Sequence, residues 1–104
     1  MNQNQIRQGD VFLKPTELPE GKGKKIRSQC GRLILARGEA TGHHHSVSAN
    51  VAELFDFGGR TVLVVKEPTT LDHQEHAQIE VQPGIYWVVI QREYHPEEIR
   101  RVQD

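Results

Sequence analysis

Cysteine is almost absent from this 104-residue chain, and long apolar runs are missing altogether. The single Cys30 cannot form an intramolecular disulfide, and no second thiol is available for a cysteine-type zinc site. The longest apolar run, IYWVVI at 85–90, is far shorter than the ~20 residues that span a bilayer. The polar N-terminus MNQNQIRQGD has no apolar signal core. We therefore expect a cytoplasmic protein without membrane contact.

An excess of charge of one sign is also lacking. The chain has 13 Lys and Arg against 14 Asp and Glu, a formal net charge of −1. Proteins that bind nucleic acid or anionic membranes usually carry a basic excess, so neither partner is expected. The basic segment 15–31 is interpreted as a mobile, solvated loop, with weak phosphate contacts from Lys22 to Arg27 as the alternative.

The length of 104 residues predicts a single domain, 1–104.

Short apolar runs separated by glycine and proline make up most of the chain. β-Branched and aromatic residues dominate these runs, as is typical of strands. The runs are DVFLK (10–14), RLILAR (32–37), VAELFDF (51–57), RTVLVVK (60–66), AQIEV (77–81) and IYWVVIQREY (85–94). The GG between the third and fourth runs and the QPG between the last two predict β-hairpins.

We therefore predict an all-β fold, a small single-domain β-barrel or sandwich of about six or seven short strands. The tail HPEEIRRVQD (95–104) has a proline suited to the first turn of a helix, followed by two acidic and then two basic residues. It predicts a short C-terminal helix. Because a small β-protein has open strand edges, we also expect a homo-oligomer.

Histidine is the residue type that stands out, and five of the six histidines lie in two short segments. The first segment is the HHH of GHHHSV (42–47). If it is extended, side chains alternate between faces, so His43 and His45 share one side and His44 points to the other. An H-x-H pair on a strand can supply two imidazoles to one metal ion. We predict His43 and His45 as metal ligands and His44 as a bystander.

The second segment is DHQEH at 72–76. If it forms one helical turn with Asp72 as the N-cap, His73 and His76 lie on the same side at i,i+3 spacing. These two histidines are the remaining predicted metal ligands. Glu75, between them, would either bind the metal or hydrogen-bond to a ligand histidine.

Imidazoles combined with a carboxylate suit a divalent transition metal such as zinc, iron, nickel or manganese. Histidine sites without cysteine more often keep an open coordination position, which favours an enzyme that activates water to attack a small-molecule substrate. Glu75 is the predicted catalytic base, and Glu39 in GEATG (38–42) is the second candidate. An iron-dependent oxygenase is the next alternative.

Other interpretations need no metal. Each histidine could be an ordinary surface or hydrogen-bonded residue, or the two segments could perform acid–base chemistry, because imidazole titrates near neutral pH. A function of a different class is a non-catalytic, phage-type assembly or interaction module whose histidines are structural or lie at a subunit contact. The polar end of the last run, Gln91, Arg92, Glu93 and Tyr94, either lines the mouth of a site or is a solvated strand end.

The segments ARGEATGHHHSV and DHQEHAQIEVQPGIYWVVIQREYHPEEIRRVQD resemble a group of small uncharacterised bacterial and phage proteins. Their pattern is a leading GD strand, then GEVTGHxH, HxEH and G-x-Y-x-V-x-x-QREY, and it covers most of the chain outside 15–31. The positions that recur in the group match His43, His45, His73, Glu75 and His76. The position of His44 varies, and the resemblance implies no particular reaction.

A weaker likeness is to the cupins, small β-barrels that hold a metal. Their first motif contains a glycine, an H-x-H pair and a later glutamate. Gly38, His43 and His45 fit the first part of this motif, but SVSAN follows where the glutamate is expected.

Overall fold

The computed structural model describes residues 5–37, 44–74 and 76–91, and all regular structure in these ranges is β-strand. This confirms the all-β prediction. The ten strands found there are β1 (Ile6–Gln8), β2 (Val11–Pro15), β3 (Lys24–Lys25), β4 (Arg32–Arg37), β5 (His44–Ser48), β6 (Ala52–Phe57), β7 (Arg60–Val65), β8 (Thr69–Leu71), β9 (Ile79–Val81) and β10 (Gly84–Ile90). No helix within these ranges is long and apolar enough to cross a membrane. The predicted C-terminal helix, 95–104, lies outside the described residues.

Six strands form one antiparallel sheet, the main sheet, in the order β1-β2-β10-β7-β6-β3. Two further sheets have two strands each, β4 with β5 and β8 with β9. The outermost strands of the main sheet, β1 and β3, are not joined by any described strand, which excludes a closed barrel in this part of the chain. The strands exceed the predicted six or seven because β1, β3 and β8, which are only two or three residues long, lie outside the predicted runs.

The first predicted hairpin is confirmed, since β6 and β7 pair around Gly58 and Gly59. Both glycines have positive φ, 64° and 97°, as a type I′ turn requires. The Asp56 carboxylate accepts a 2.7 Å hydrogen bond from the Gly59 N–H, which closes the turn. The turn sets the register of the hairpin and places Leu54 opposite Leu63.

The second predicted hairpin is wrong. β9 pairs with β8, where Thr69 lies opposite Val81, whereas β10 lies between β2 and β7. β10 is apolar on both faces, and this pattern fits the centre of a sheet. Its Val88 has a partner on each side, Leu13 of β2 and Thr61 of β7. The QPG stretch therefore connects two different sheets.

One hydrophobic core joins the three sheets. Strand alternation turns every second side chain of the main sheet toward one face, the inner face, which packs against the two small sheets. The main sheet contributes Val11, Leu13, Ala52, Leu54, Leu63, Val65, Tyr86 and Val88, and the small sheets contribute Leu33, Leu35, Val47, Leu71 and Val81. Each fully buried apolar side chain contributes roughly 1.5–3 kcal/mol of transfer free energy.

The segment 15–31, expected to be a loop, contains the short strand β3, whose Lys25 lies opposite Phe55 of β6. At its end, Gln29 and Arg32 exchange backbone hydrogen bonds of 2.7 and 2.9 Å. Cys30, inside this turn, is exposed and has a positive φ of 51°. The segment therefore adds a strand to the edge of the main sheet and leads into β4.

A small polar network ties the two small sheets together. Ser46 of β5 and Asp72, directly after β8, form an antiparallel bridge with N···O distances of 3.0 and 2.8 Å. Arg32 of β4 donates to the Asp72 carboxylate at 2.6 Å and to the Ser46 carbonyl oxygen at 3.0 Å. The Thr70 hydroxyl donates to the second carboxylate oxygen of Asp72 at 3.2 Å. This network fixes the position of the chain just before the second histidine segment.

We expect Asp72→Asn to lower the free energy of unfolding by about 1–2 kcal/mol, because a partly buried guanidinium loses its counter-charge. Urea unfolding followed by circular dichroism measures the change. Lys66→Met is the matched control, since it breaks the Lys66–Glu53 ion pair of 3.4 Å, in which the lysine side chain is 58% exposed. The control should change stability by less than about 0.5 kcal/mol, and an equal loss in both variants would contradict the special role of the Arg32 network.

Candidate functional site

The pairing of β5 with the end of β8 brings the two histidine segments together. In an antiparallel ladder, the pair next to Ser46 and Asp72 is His45 and His73. The ring centroids of these two histidines lie 4.3 Å apart. His76 turns back toward them, with its ring centroid 4.6 Å from that of His73 and 5.9 Å from that of His45. We call His45, His73 and His76 the three-histidine cluster.

The other predicted site residues lie outside the described residues: His43, Glu39, Glu75, Arg92, Glu93 and Tyr94. His44 is partly buried, and its backbone N–H donates to Gln74 Oε1 at 2.9 Å. The helical turn predicted at 72–76 is wrong for its described residues, because Asp72 forms a β-bridge. Its carboxylate accepts from Arg32 and therefore does not act as a helix cap.

His45 is the fixed member of the cluster, with only 4% of its surface exposed. Its Nδ1 lies 2.8 Å from Oε1 of Gln8, which is 2% exposed. The Nε2 of Gln8 in turn donates hydrogen bonds of 2.9 Å to the carbonyl oxygens of Leu71 and Ala77. A single buried amide thus connects β1, β5 and both ends of the segment that carries His73 and His76.

These contacts determine which nitrogen of His45 carries the proton. A flipped Gln8 amide would turn its oxygen toward two carbonyl oxygens, so Nε2 must be the donor on that side. The Gln8 oxygen is then the acceptor, and the His45 Nδ1–H donates to it. In the neutral ring the lone pair is therefore on His45 Nε2.

Burial, together with the neighbouring His73 and His76, lowers the pKa of His45 from 6.5 to about 4. Asp10 acts in the opposite direction and raises this pKa. The ring of His45 is therefore uncharged at neutral pH. Neutral imidazole is the form that can bind a metal ion or accept a proton.

The turn between β1 and β2 forms one wall of the cluster. Gly9 has a φ of +59°, and a Cβ at this position would lie 2.7 Å from His76 Nε2 and 3.2 Å from His45 Cε1. Any side chain at Gly9 would therefore displace the His76 ring, in addition to straining the backbone. The glycine is required here both for conformation and for the close approach of His76.

The three rings pack against one another and do not converge on one point. His45 and His76 are stacked with an interplanar angle of 18°, and His73 is tilted by 40° and 46° to them. Among the residues that the structure describes, no group of three or more His, Cys, Asp or Glu side chains is arranged to hold a metal ion. His76 is exposed and His73 is partly buried, whereas His45 is buried.

Sequence patterns do not indicate Gln8, Gly9 or Arg32, although all three shape the cluster. Gln8 contacts His45 across 37 sequence positions and Ala77 across 69. The sequence around a single glutamine or arginine on a strand does not predict contacts with residues so far away along the chain. The one available signal is the GD after the first strand, which marks Gly9 as a turn residue.

The lowered pKa of His45 predicts a pH dependence of stability. The unfolded chain, with its His45 pKa at 6.5, binds a proton before the folded chain does, so acidification favours unfolding. We expect this contribution to be fully present above pH 6.5, to fall as the pH drops toward 4 and to level off below that. The loss is about 1–2 kcal/mol after allowance for solvent screening at the open side of the cluster. Urea unfolding in EDTA between about pH 7.5 and 4.5 measures it.

Two variants isolate the contribution of His45. His45→Gln should flatten the pH dependence, whereas His44→Gln, at the neighbouring position, should keep it. Glu53, whose pKa is lowered mainly by its hydrogen bond with Lys25, begins to affect stability only below its ordinary value of 4.5. An unchanged slope above that value in His45→Gln would refute the assignment.

Comparison with known proteins adds a family but no activity. No curated protein matches the chain, and no solved structure does. A family described as a domain of unknown function, DUF8820, matches residues 7–91. This range includes Gln8, Gly9 and all members of the three-histidine cluster. Since the match covers well over half of the chain, the protein belongs to the DUF8820 family.

Proposed function

We propose that the protein binds one divalent transition metal ion through His45, His73 and His76. The observation that carries this proposal is the meeting of three imidazoles from two distant segments, with ring centroids between 4.3 and 5.9 Å apart. Imidazole is a common ligand of zinc, iron and nickel, and three imidazoles are a sufficient protein contribution to a metal site.

The state of His45 supports the proposal. A metal ligand must be deprotonated, and the His45 ring is neutral at pH 7 because its pKa is about 4. The Gln8 oxygen accepts the Nδ1 proton, which leaves Nε2 as the ligand atom. Ligand histidines in metalloproteins commonly have their second nitrogen bound to a carbonyl or carboxylate oxygen in this way.

Metal binding requires that His73 and His76 turn their nitrogens toward His45 Nε2. Both residues lie in the connection between β8 and β9, and His76 is exposed, so turning the His76 ring disturbs little of the core. His43 is the predicted fourth ligand. Glu75 is predicted either to bind the metal or to hydrogen-bond to a ligand histidine.

A metal held by three imidazoles keeps a position for water or substrate, which favours hydrolytic chemistry on a small molecule. The metal would lower the pKa of the bound water, and Glu75 or Glu39 would act as the base. Zinc, iron, nickel and manganese remain the candidates. A homo-oligomer also remains a prediction, favoured by the exposed β3 at one edge of the main sheet.

One observation favours a second function, in which the histidines are purely structural. The Gln8–His45 pair closes one end of the core through three hydrogen bonds of 2.8 to 2.9 Å, all of them between protein groups. In that case the protein is a non-catalytic assembly or interaction module. Metal titration separates the two functions.

We expect protein purified without a nickel column and treated with EDTA to bind one Co²⁺ or Zn²⁺ per chain in calorimetric titration. Replacement of His45, His73 or His76 by Gln should weaken binding at least tenfold, equivalent to about 1.4 kcal/mol, because each removes one ligand. His44→Gln is the matched control and should bind as the wild type does. Binding that is absent, or equal in all four variants, would exclude the proposed site.

The Co²⁺ absorption spectrum distinguishes catalytic from structural use of the metal. An open site should change its spectrum when azide or another small anion is added, because the anion replaces bound water. A site closed by four protein ligands would not respond. His43→Gln should convert such a closed site into an open one if His43 is the fourth ligand.

Gln8→Leu tests the orientation of His45. Leucine fills a similar volume but cannot accept the Nδ1 proton, so we expect metal affinity to fall about 10- to 100-fold. The ¹⁵N chemical shifts of the His45 ring should change from a single Nδ1–H tautomer to a mixture of both tautomers. A variant that keeps wild-type affinity and the wild-type tautomer would disprove the role of Gln8.

A further inference from the structure

The face of the main sheet that points away from the core, the outer face, carries most of the aromatic residues of the chain. Four of the six aromatic residues are there: Phe12, Phe55, Phe57 and Trp87. All four are partly buried, whereas the fifth, Tyr86, is 1% exposed and belongs to the core. Both small sheets pack on the inner face, so among the described residues neither of them covers these rings.

The strand register arranges these side chains in rows. One complete row crosses five neighbouring strands, and it consists of Lys14, Trp87, Val62, Phe55 and Lys25. Because neighbouring strands are about 4.8 Å apart, two planar rings lie about 10 Å from each other with a lysine at either end of the row. A second row contains the pairs Arg7 with Phe12 and Arg60 with Phe57.

Basic side chains lie directly over the outer-face rings. The Arg60 guanidinium carbon is 4.2 Å from the centroid of the Trp87 ring, and Lys14 Nζ is 5.9 Å from the same ring. Arg7 lies 5.1 Å above Phe12. Stacked guanidinium and aromatic planes are surfaces on which nucleobases stack, and the same cations can reach phosphates.

The outer face is basic although the chain as a whole is not. Among the residues that the structure describes, it carries Arg7, Lys14, Lys25 and Arg60 against one acidic residue, Glu53. Glu53 is already paired with Lys25 at 3.2 Å and with Lys66 at 3.4 Å. The formal net charge of −1 is a sum over the whole chain, so it does not reveal that the charges are unevenly distributed and that one face is positive.

We propose that the outer face binds single-stranded nucleic acid. Bases stack on Phe55 and on the Arg60–Trp87 and Arg7–Phe12 stacks, and the charges of Arg7, Lys14 and Arg60 hold phosphates. A flat sheet with aromatic rings and flanking cations is complementary to unpaired bases on a polyanion. Base pairs in a duplex are not free to stack on the rings, so double strands should bind more weakly. A second copy of the chain on this face would bring like charges together across a twofold interface.

Fluorescence anisotropy with fluorescein-labelled dT20 and U20, compared with a duplex of equal length, tests the proposal. We expect the single strands to bind and to quench Trp87, the only tryptophan in the chain. The logarithm of the affinity should fall with the logarithm of the salt concentration, with a slope of about −2 to −3 for three to four phosphate contacts. EDTA and His45→Gln should leave the binding unchanged, because the histidine cluster is not involved.

Variants locate the binding surface. Trp87→Leu, which keeps an apolar side chain, should weaken binding about 5- to 100-fold through the loss of stacking. Arg60→Gln should weaken it for all sequences and reduce the salt slope by about 0.7. Lys24→Gln is the matched control, because Lys24 lies opposite Asp56 and points to the other side of β3 from Lys25, and it should bind as the wild type does. Circular dichroism confirms that each variant is folded.

Four results would overturn the proposal: no binding of either single strand at low salt, equal binding of the duplex, wild-type affinity in Trp87→Leu, or loss of binding in Lys24→Gln alone. A stable dimer whose Trp87 is shielded from acrylamide quenching would also overturn it. That result would assign the outer face to a second copy of the chain.

Discussion

The antiparallel bridge between Ser46 and Asp72 is the contact on which the histidine site depends. It joins strands from two separate small sheets, and Arg32 holds both partners through its guanidinium. Side chains along a strand alternate with a period of two, so a slip of one residue would turn His45 out of the core. The bridge therefore decides both the register of the small sheets and the meeting of His45 with His73.

Burial of His45 affects both the stability of the protein and the protonation state of the His45 ring. A buried imidazole is tolerated because Gln8 accepts its proton, and Gln8 is itself satisfied by two carbonyl oxygens. The same burial keeps the ring neutral and leaves a lone pair on Nε2. The protein thus holds one buried imidazole beside two that are closer to solvent, an arrangement suited to a ligand that arrives from solvent.

The two faces of the main sheet carry different residues because side chains alternate between them along each strand. The inner face, with residues such as Leu13 and Leu63, forms the core with the small sheets. The outer face, with Trp87 beneath Arg60, stays partly exposed and is positively charged. Over the whole chain, basic and acidic residues nearly cancel, so the composition alone argues against a nucleic-acid partner.

The all-β class and the β6–β7 hairpin follow from the sequence, because alternation and the Gly58–Gly59 turn are local properties. The sequence also singles out His45, His73 and His76, since their spacing is visible in it. Only the tertiary structure decided that β10 pairs with β2 and β7, and that the three histidines meet. It also decided that Gln8 orients one of them. The contacts of Gln8 join residues 37 to 69 positions apart. The packing energy of the whole fold selects contacts between residues that are distant in sequence, and no local sequence pattern predicts them.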